Sequence, residues 1–255
     1  MSRITASIKK AYNLGKQEGF SELIRRSIYY KISYGYLNQL KIFVTNGSHV
    51  DAYQQWMDYK IRKSGADAIG GYDSEIGDIQ FDFLKSRGLS PENTMLDIGC
   101  GALRGGKRFM NHLNSGNYTG MDINENIIET GKEKLDDEFI ENNNPNIIVN
   151  NDLKFNEFSR SKEFDYILAQ SVFTHLPAED IIECFANIDS IMNSNSVFYA
   201  TFSEGTDPTS FVNYGYDSSE LVSMAEQHDL DATALPPAAY PHPGGQRMLE
   251  VTLME

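Results

Sequence analysis

"LDIGCGALRGGK" (Leu96–Lys107) decides how the rest of the chain is read. A short apolar run leads into Gly99, Gly101, Gly105 and Gly106, where the backbone is stripped of side chains and can approach a ligand closely. Three glycine-loop motifs overlap on these letters. Gly101 to Lys107 fills the first seven positions of the phosphate-binding loop G-x-x-x-x-G-K-[ST], but Arg108 stands where a Mg²⁺-binding hydroxyl is required. The dinucleotide fingerprint G-x-G-x-x-G is met at Gly99 and Gly101 and broken at Arg104, with Gly105 one place late.

The third reading accounts for more residues. Asp97 sits two residues before Gly99, at the end of an expected strand, where a carboxylate repels a pyrophosphate and suits an ammonium or a sulfonium. Asp122 ends the next expected strand, 21 residues after Gly101, and can accept both hydroxyls of a ribose. Asp152 follows the third and can receive the exocyclic amine of an adenine. In an open parallel sheet, ligands bind beyond the carboxyl ends of the strands, near the point where strand order reverses. Three acids after three successive strands, above a glycine loop, describe a pocket for a cationic, phosphate-free nucleoside.

Outward from this loop the chain alternates. Strands are expected at 94–98, 118–121, 146–149, 165–169 and 196–201, with two more around "PHPGGQ" (241–246), the last at 248–253. Helices are expected at 52–63, at 76–87 before a Gly88 cap, at 103–113, and from an Asn124 cap to about residue 136. Another starts at Pro177 and carries Ile181, Phe185, Ile188 and Met192, and Asp217 with Glu220 reads as a capping pair opening the last. Such alternation implies an α/β, Rossmann-like, mostly parallel sheet with helices on both faces.

Residues 1–65 read as a helical N-terminal arm and 66–255 as the α/β domain. The 255-residue chain has a net charge of −14, yet residues 1–45 hold eight Lys or Arg against two Glu and crowd Tyr29, Tyr30, Tyr34 and Tyr36. The arm therefore reads as a packing element or as a peripheral contact with an anionic membrane surface. The acidic remainder would repel a phosphate backbone, which argues against nucleic acid as a partner. Cys100 and Cys184 are the only cysteines and have no metal-ligand spacing, so neither a disulfide framework nor a metal site is expected. No apolar run reaches the roughly 20 residues that span a bilayer, and the start of the chain lacks a signal-peptide core, so a cytoplasmic location is expected.

The ordered motifs "MLDIGCGALRGG" (95–106), "YTGMDI" (118–123), "NND" (150–152) and "FDYILAQSVFTHLP" (164–177) resemble those of class I S-adenosylmethionine-dependent methyltransferases, over roughly residues 70–255. The resemblance implies a seven-stranded sheet whose last strand is antiparallel, and S-adenosylmethionine as cofactor. It implies that Gly99, Gly101 and Asp97 meet the methionine part, Asp122 the ribose and Asp152 the adenine, with Ile123 a further cofactor contact and Gln170 orienting cofactor or substrate.

His175, after the fourth strand, is the candidate general base or substrate contact, and Arg104 the candidate contact for a substrate anion. His242 and Arg247, in the last hairpin, are candidate substrate contacts. The finer pattern, with "ATF" and "HPGGQ", resembles methyltransferases of surface-glycan assembly, including an archaeal enzyme that methyl-esterifies a hexuronic acid of an S-layer N-glycan. That implies a sugar or lipid-linked glycan as acceptor, at the inner face of the cell membrane. A metabolite or lipid O-methyltransferase, which would need a deep apolar pocket, and a non-catalytic cofactor-binding module remain open alternatives.

Overall fold

The central strands of this chain are apolar on both sides, and the computed structural model, which describes residues 49–64, 73–158, 162–205 and 213–254, shows why. In β5 (Val197–Phe202), Phe198, Ala200 and Phe202 enter one hydrophobic cluster while Tyr199 enters another. In β4 (Tyr166–Ala169), Ile167 and Ala169 face the first cluster and Leu168 the second. A period of two, apolar on both faces, is the pattern of a sheet covered on both sides.

The remaining strands are β1 (Met95–Ile98), β2 (Tyr118–Asp122), β3 (Asn146–Val149), β6 (Leu230–Ala234) and β7 (Arg247–Leu253). Together they form a seven-stranded sheet in the order β3-β2-β1-β4-β5-β7-β6. Pairings from β3 through β5 are parallel, and β7 runs antiparallel to both β5 and β6. The expected sheet, with its antiparallel last strand, is therefore the one observed. Strand order reverses between β1 and β4, which fixes where a crevice opens at the strands' carboxyl ends.

Helices α1 (His49–Ser64) and α2 (Asp73–Ser86) precede the sheet. The glycine loop leads to α3 (Gly106–His112), and α4 (Glu125–Lys132) and α5 (Asp137–Asn143) follow β2. Then come α6 (Ala178–Ile188) and α7 (Ser218–Glu226). The first cluster lies under α6 and α7 through Ile181, Phe185, Ile188 and Leu221. The second lies under α2 and α3 through Phe83, Leu84 and Phe109. Gly88 has φ +99°, the left-handed geometry of a helix end, and Leu89 N–H closes it onto Leu84 O at 3.0 Å.

Three expectations are corrected. The helix after the glycine loop begins at Gly106, not Leu103, because Leu103 takes φ +58° in a turn that its N–H closes onto Cys100 O. The helix capped by Asn124, whose side chain accepts from Ile127 N–H at 3.0 Å, stops at Lys132. A separate helix, α5, follows; it has no fully buried residue, so it left no apolar stripe to read. Asp217 forms no capping box: its side chain caps nothing, and Ser218 N–H goes to Glu204 Oε1 at 3.2 Å.

The segment at 52–63 is helical as expected and extends from His49 to Ser64. Its Trp56 and Met57 are buried against Ala102 of the glycine loop and Ile127 of α4. Residues 1–48, with the basic, Tyr-rich segment, lie outside the described residues. Among the described residues no helix is long and apolar enough to cross a membrane.

The glycine loop also rests on α4. A Cβ at Gly131 would stand 2.6 Å from the carbonyl carbon of Ala102 and 2.8 Å from its oxygen. Gly131→Ala should gain about 1 kcal/mol of helix propensity and lose more to backbone displacement, for a net destabilisation of about 1–3 kcal/mol. A fall in the urea midpoint at constant m-value checks this; an unshifted midpoint would mean that loop and helix are not in rigid contact.

Candidate active site

The glycine loop is held from below by one carboxylate and one backbone carbonyl. Gly99 N–H and Cys100 N–H both donate to Met121 O, at 2.8 and 3.0 Å. Asp122, at the tip of β2, accepts Gly101 N–H on Oδ2 at 3.0 Å and Asn124 N–H on Oδ1 at 2.9 Å. Burial pushes the Asp122 carboxyl above its ordinary range, and these backbone donors oppose the shift. Gly99 has φ +71°, and a Cβ there would stand 2.5 Å from Val172 Cγ2, so only glycine fits.

A cavity of about 640 Å³ opens above this loop, at the carboxyl ends of β1, β2 and β4. Asp97, Gly99, Gly101, Arg104, Asp122, Ile123, Asp152, Gln170, His175 and His242 all line it. The expected residues thus converge on one cavity, with Arg247 the exception.

Asp97 is the most perturbed of them. It is 4% exposed, and Tyr118 donates its hydroxyl to Asp97 Oδ2 at 2.8 Å. Burial pushes its carboxyl up to about 7, with Asp122 adding to the rise and the Tyr118 hydrogen bond and Arg104 opposing it. Asp152 follows β3 in an Asx-type turn: Asn150 Oδ1 accepts Asp152 N–H at 2.7 Å, and Asp152 Oδ1 accepts Lys154 N–H at 2.9 Å.

His175 closes a 3₁₀ turn after β4, its N–H on Val172 O at 2.8 Å and its ring 5.1 Å from that of Tyr53. His242 stacks on Tyr240 and accepts Gly244 N–H on Nδ1 at 3.1 Å. Burial, and then the Arg104 charge, lower its pKa, so the imidazole is neutral.

Two expected roles change. Gln170 lines the cavity, but its amide is already engaged. Its Nε2 donates to Ser171 Oγ at 3.0 Å and to Gln246 Oε1 at 3.2 Å, and its Oε1 accepts the Tyr240 hydroxyl. Both Nε2 hydrogens are committed to neighbouring side chains, so what it has left for a cofactor or substrate is one lone pair on Oε1. Arg247 does not line the cavity. Its guanidinium pairs with Glu204, donates to Leu235 O at 3.2 Å and lies over the Phe202 ring, so it ties β7 to its surroundings. Among the described residues no cluster of three or more His, Cys, Asp or Glu is placed to hold a metal ion.

Sequence reasoning missed the wall contributed by α1. His49, Tyr53, Trp56 and Lys60 line the cavity, and the signal for them was present: spacings of four, three and four put them on one helix face. Gln54 Nε2 donates to Ile123 O at 2.7 Å, and Asn124 Nδ2 to Asp58 Oδ1 at 2.9 Å, anchoring that helix beside β2. His49 Nδ1 lies 3.7 Å from Asp180 Oδ2 on α6. Tyr214, edge-on to His49, also lines the cavity and had no local signal.

Residues 96–198 match the family described as a methyltransferase domain. The fold is similar to magnesium protoporphyrin IX methyltransferase from Synechocystis PCC 6803 with bound SAH, at 16% identity and a TM-score of 0.58, over 80% of this chain and 97% of that one. It is similar to DhpI in complex with SAH at 13% identity and a TM-score of 0.60, over 82% and 99% of the two chains. It is also similar to the glycopeptide N-methyltransferase MtfA complexed with SAH, at 10% identity and a TM-score of 0.55, over 69% and 90%. Residues 96–198 thus match a methyltransferase domain, and the sheet order, with the acids gathered at its strand tips, gives the chain the class I S-adenosylmethionine-dependent methyltransferase fold.

Proposed function

We propose that the protein methylates a sugar of a cell-surface glycan, held in the cavity between the glycine loop, α1 and the β6–β7 loop. The residues present fit the cofactor. A buried carboxylate held near neutrality, as Asp97 is, is stabilised by an incoming ammonium. Asp122 already accepts two N–H groups, but each carboxylate oxygen has a second lone pair left for a ribose hydroxyl. Asp152 lines the same cavity and is the candidate acceptor of the adenine amine. When bound, S-adenosylmethionine supplies an electrophilic methyl group on a positively charged sulfur.

The chain's own part is to align, to desolvate and to manage one proton. In-line displacement gains most of its rate from holding the reacting atoms within about 3–3.5 Å. A sugar hydroxyl loses its proton as the new bond forms, and His175 is the candidate acceptor of that proton.

The observation that carries the sugar reading is the lining on this side of the cavity. Tyr53, Tyr214 and His175 supply flat rings, while Ser203, Asn213, Asp180 and Gln246 supply hydrogen-bonding groups. Rings against the apolar face of a pyranose and polar groups around its hydroxyls are what a sugar requires. In this reading the acceptor is a lipid-linked glycan at the cytoplasmic membrane face, with the basic N-terminal segment as the peripheral contact. Mass spectrometry of surface glycans from a strain lacking the gene tests it: a sugar lighter by one CH₂ supports it, and an unchanged glycan profile refutes it.

Three outcomes follow for the site. Asp122→Ala should cost about 1–3 kcal/mol of S-adenosylhomocysteine affinity by calorimetry, because buried donors lose their acceptor; an unchanged Kd would remove Asp122 from the cofactor site. In the free protein Asp97 takes up a proton as pH falls through about 7. A bound ammonium lowers that pKa, so binding should release a proton below this point. S-adenosylhomocysteine affinity should then be flat above about 7 and fall by up to about tenfold per pH unit below it, and Asp97→Asn should flatten the profile. His175→Ala should lower kcat far more than S-adenosylhomocysteine affinity; equal losses would place it in the cofactor site instead.

A further inference from the structure

Gln246 ends the loop between β6 and β7, and its side-chain amide is held in one orientation. Its Oε1 accepts from Thr201 Oγ1 at 2.8 Å, Ser171 Oγ at 3.0 Å and Gln170 Nε2 at 3.2 Å. Ser171, at φ +58°, donates its N–H to Thr201 Oγ1 at 2.6 Å, and the threonine hydroxyl donates in turn to Gln246. An amide oxygen with three donors has no capacity left, and what Gln246 offers the cavity it lines is its NH₂.

Four residues earlier, His242 lines the same cavity. Its Nδ1 accepts Gly244 N–H, so the proton of the neutral ring sits on Nε2. That Nε2 is buried and has no hydrogen-bond partner among the described residues. A buried donor without an acceptor is costly, and a ligand that supplies one relieves the cost. Arg104 is close enough to act electrostatically on His242, so a positive charge stands near these donors.

We propose that His242 Nε2–H and the Gln246 amide form a recognition subsite for a carboxylate of the methyl acceptor. A group with lone pairs and no hydrogen satisfies both donors. A hydroxyl would bring a proton that neither residue can accept. This rests on the cavity being the acceptor site of a sugar methyltransferase and narrows the acceptor to an acidic one. The held carboxylate acts as a handle: two donors engage the lone pairs that an attacking oxygen would need.

The full-length protein, saturated with S-adenosylhomocysteine, is titrated by NMR with D-glucuronate and with D-glucose. Glucuronate should bind about tenfold or more tighter, as expected when a pair of otherwise unpaired donors gains an ionised acceptor. Gln246→Glu keeps the oxygen that the three donors need and replaces the NH₂ with a second oxygen. His242→Phe keeps the stacking on Tyr240 and removes both nitrogens. Each variant should abolish the preference for glucuronate and leave the S-adenosylhomocysteine Kd unchanged.

Long-range ¹H–¹⁵N spectra of the wild type should show His242 as the neutral Nε2–H tautomer, a readout that requires no variant to fold. The Nδ1–H tautomer, or equal binding of the two sugars, overturns the proposal. So does a loss in both variants of S-adenosylhomocysteine binding with 5′-methylthioadenosine binding retained, which would assign the donors to the cofactor's own carboxylate. If the wild type bound no S-adenosylhomocysteine at all, the methyltransferase reading itself would fall; binding it without preferring glucuronate sinks the subsite alone.

Discussion

The Asp122 carboxylate, shared between Gly101 N–H and Asn124 N–H, is the contact on which the site depends. It joins the tip of β2, the glycine loop and the cap of α4 in one bracket. Charge-assisted bonds to backbone donors are among the stronger hydrogen bonds available, and here both donors belong to chain that would otherwise be free to turn elsewhere. Gly99 and Cys100 add a second tie to β2 through Met121 O. The loop is therefore fixed before any ligand arrives, and its bare backbone faces the cavity at the cost of two left-handed glycines.

Above that bracket the protein maintains an electrostatic asymmetry. Asp97 is buried and Asp122 half-buried, burial pushes both towards the neutral form, and the Asp122 charge adds to the cost of ionising Asp97. A diphosphate placed there would add negative charge to two desolvated acids. A cation removes the penalty instead. The same physics separates this loop from the phosphate-binding and dinucleotide-binding loops it partly spells, and it does so through acids that lie outside the glycines.

The other walls are polar in a different way. The α1 helix seals the loop with Trp56 and Met57 and offers Tyr53, His49 and Lys60 to the cavity. The β6–β7 loop offers His242 and Gln246 from the opposite end of the chain. The cofactor side is thus rich in acceptors, whereas the β6–β7 side presents donors.

The amino-acid sequence by itself determined the strand–helix alternation, the glycine loop, the Asn124 cap and the three acids that follow the first three strands. These are local properties: two-residue and 3.6-residue periodicities, capping side chains and glycines required by sterics leave marks within a few residues of where they act. Helix α5 escaped because it buries nothing fully and so imposes no periodicity. Tertiary structure alone decided that β7 lies between β5 and β6, that Arg247 is engaged by Glu204, and that the Gln170 amide is bonded to Ser171, Gln246 and Tyr240. A side chain's chemical type is written in the sequence, but whether its hydrogen-bonding capacity is still available depends on partners up to 76 residues away, and only packing brings those together.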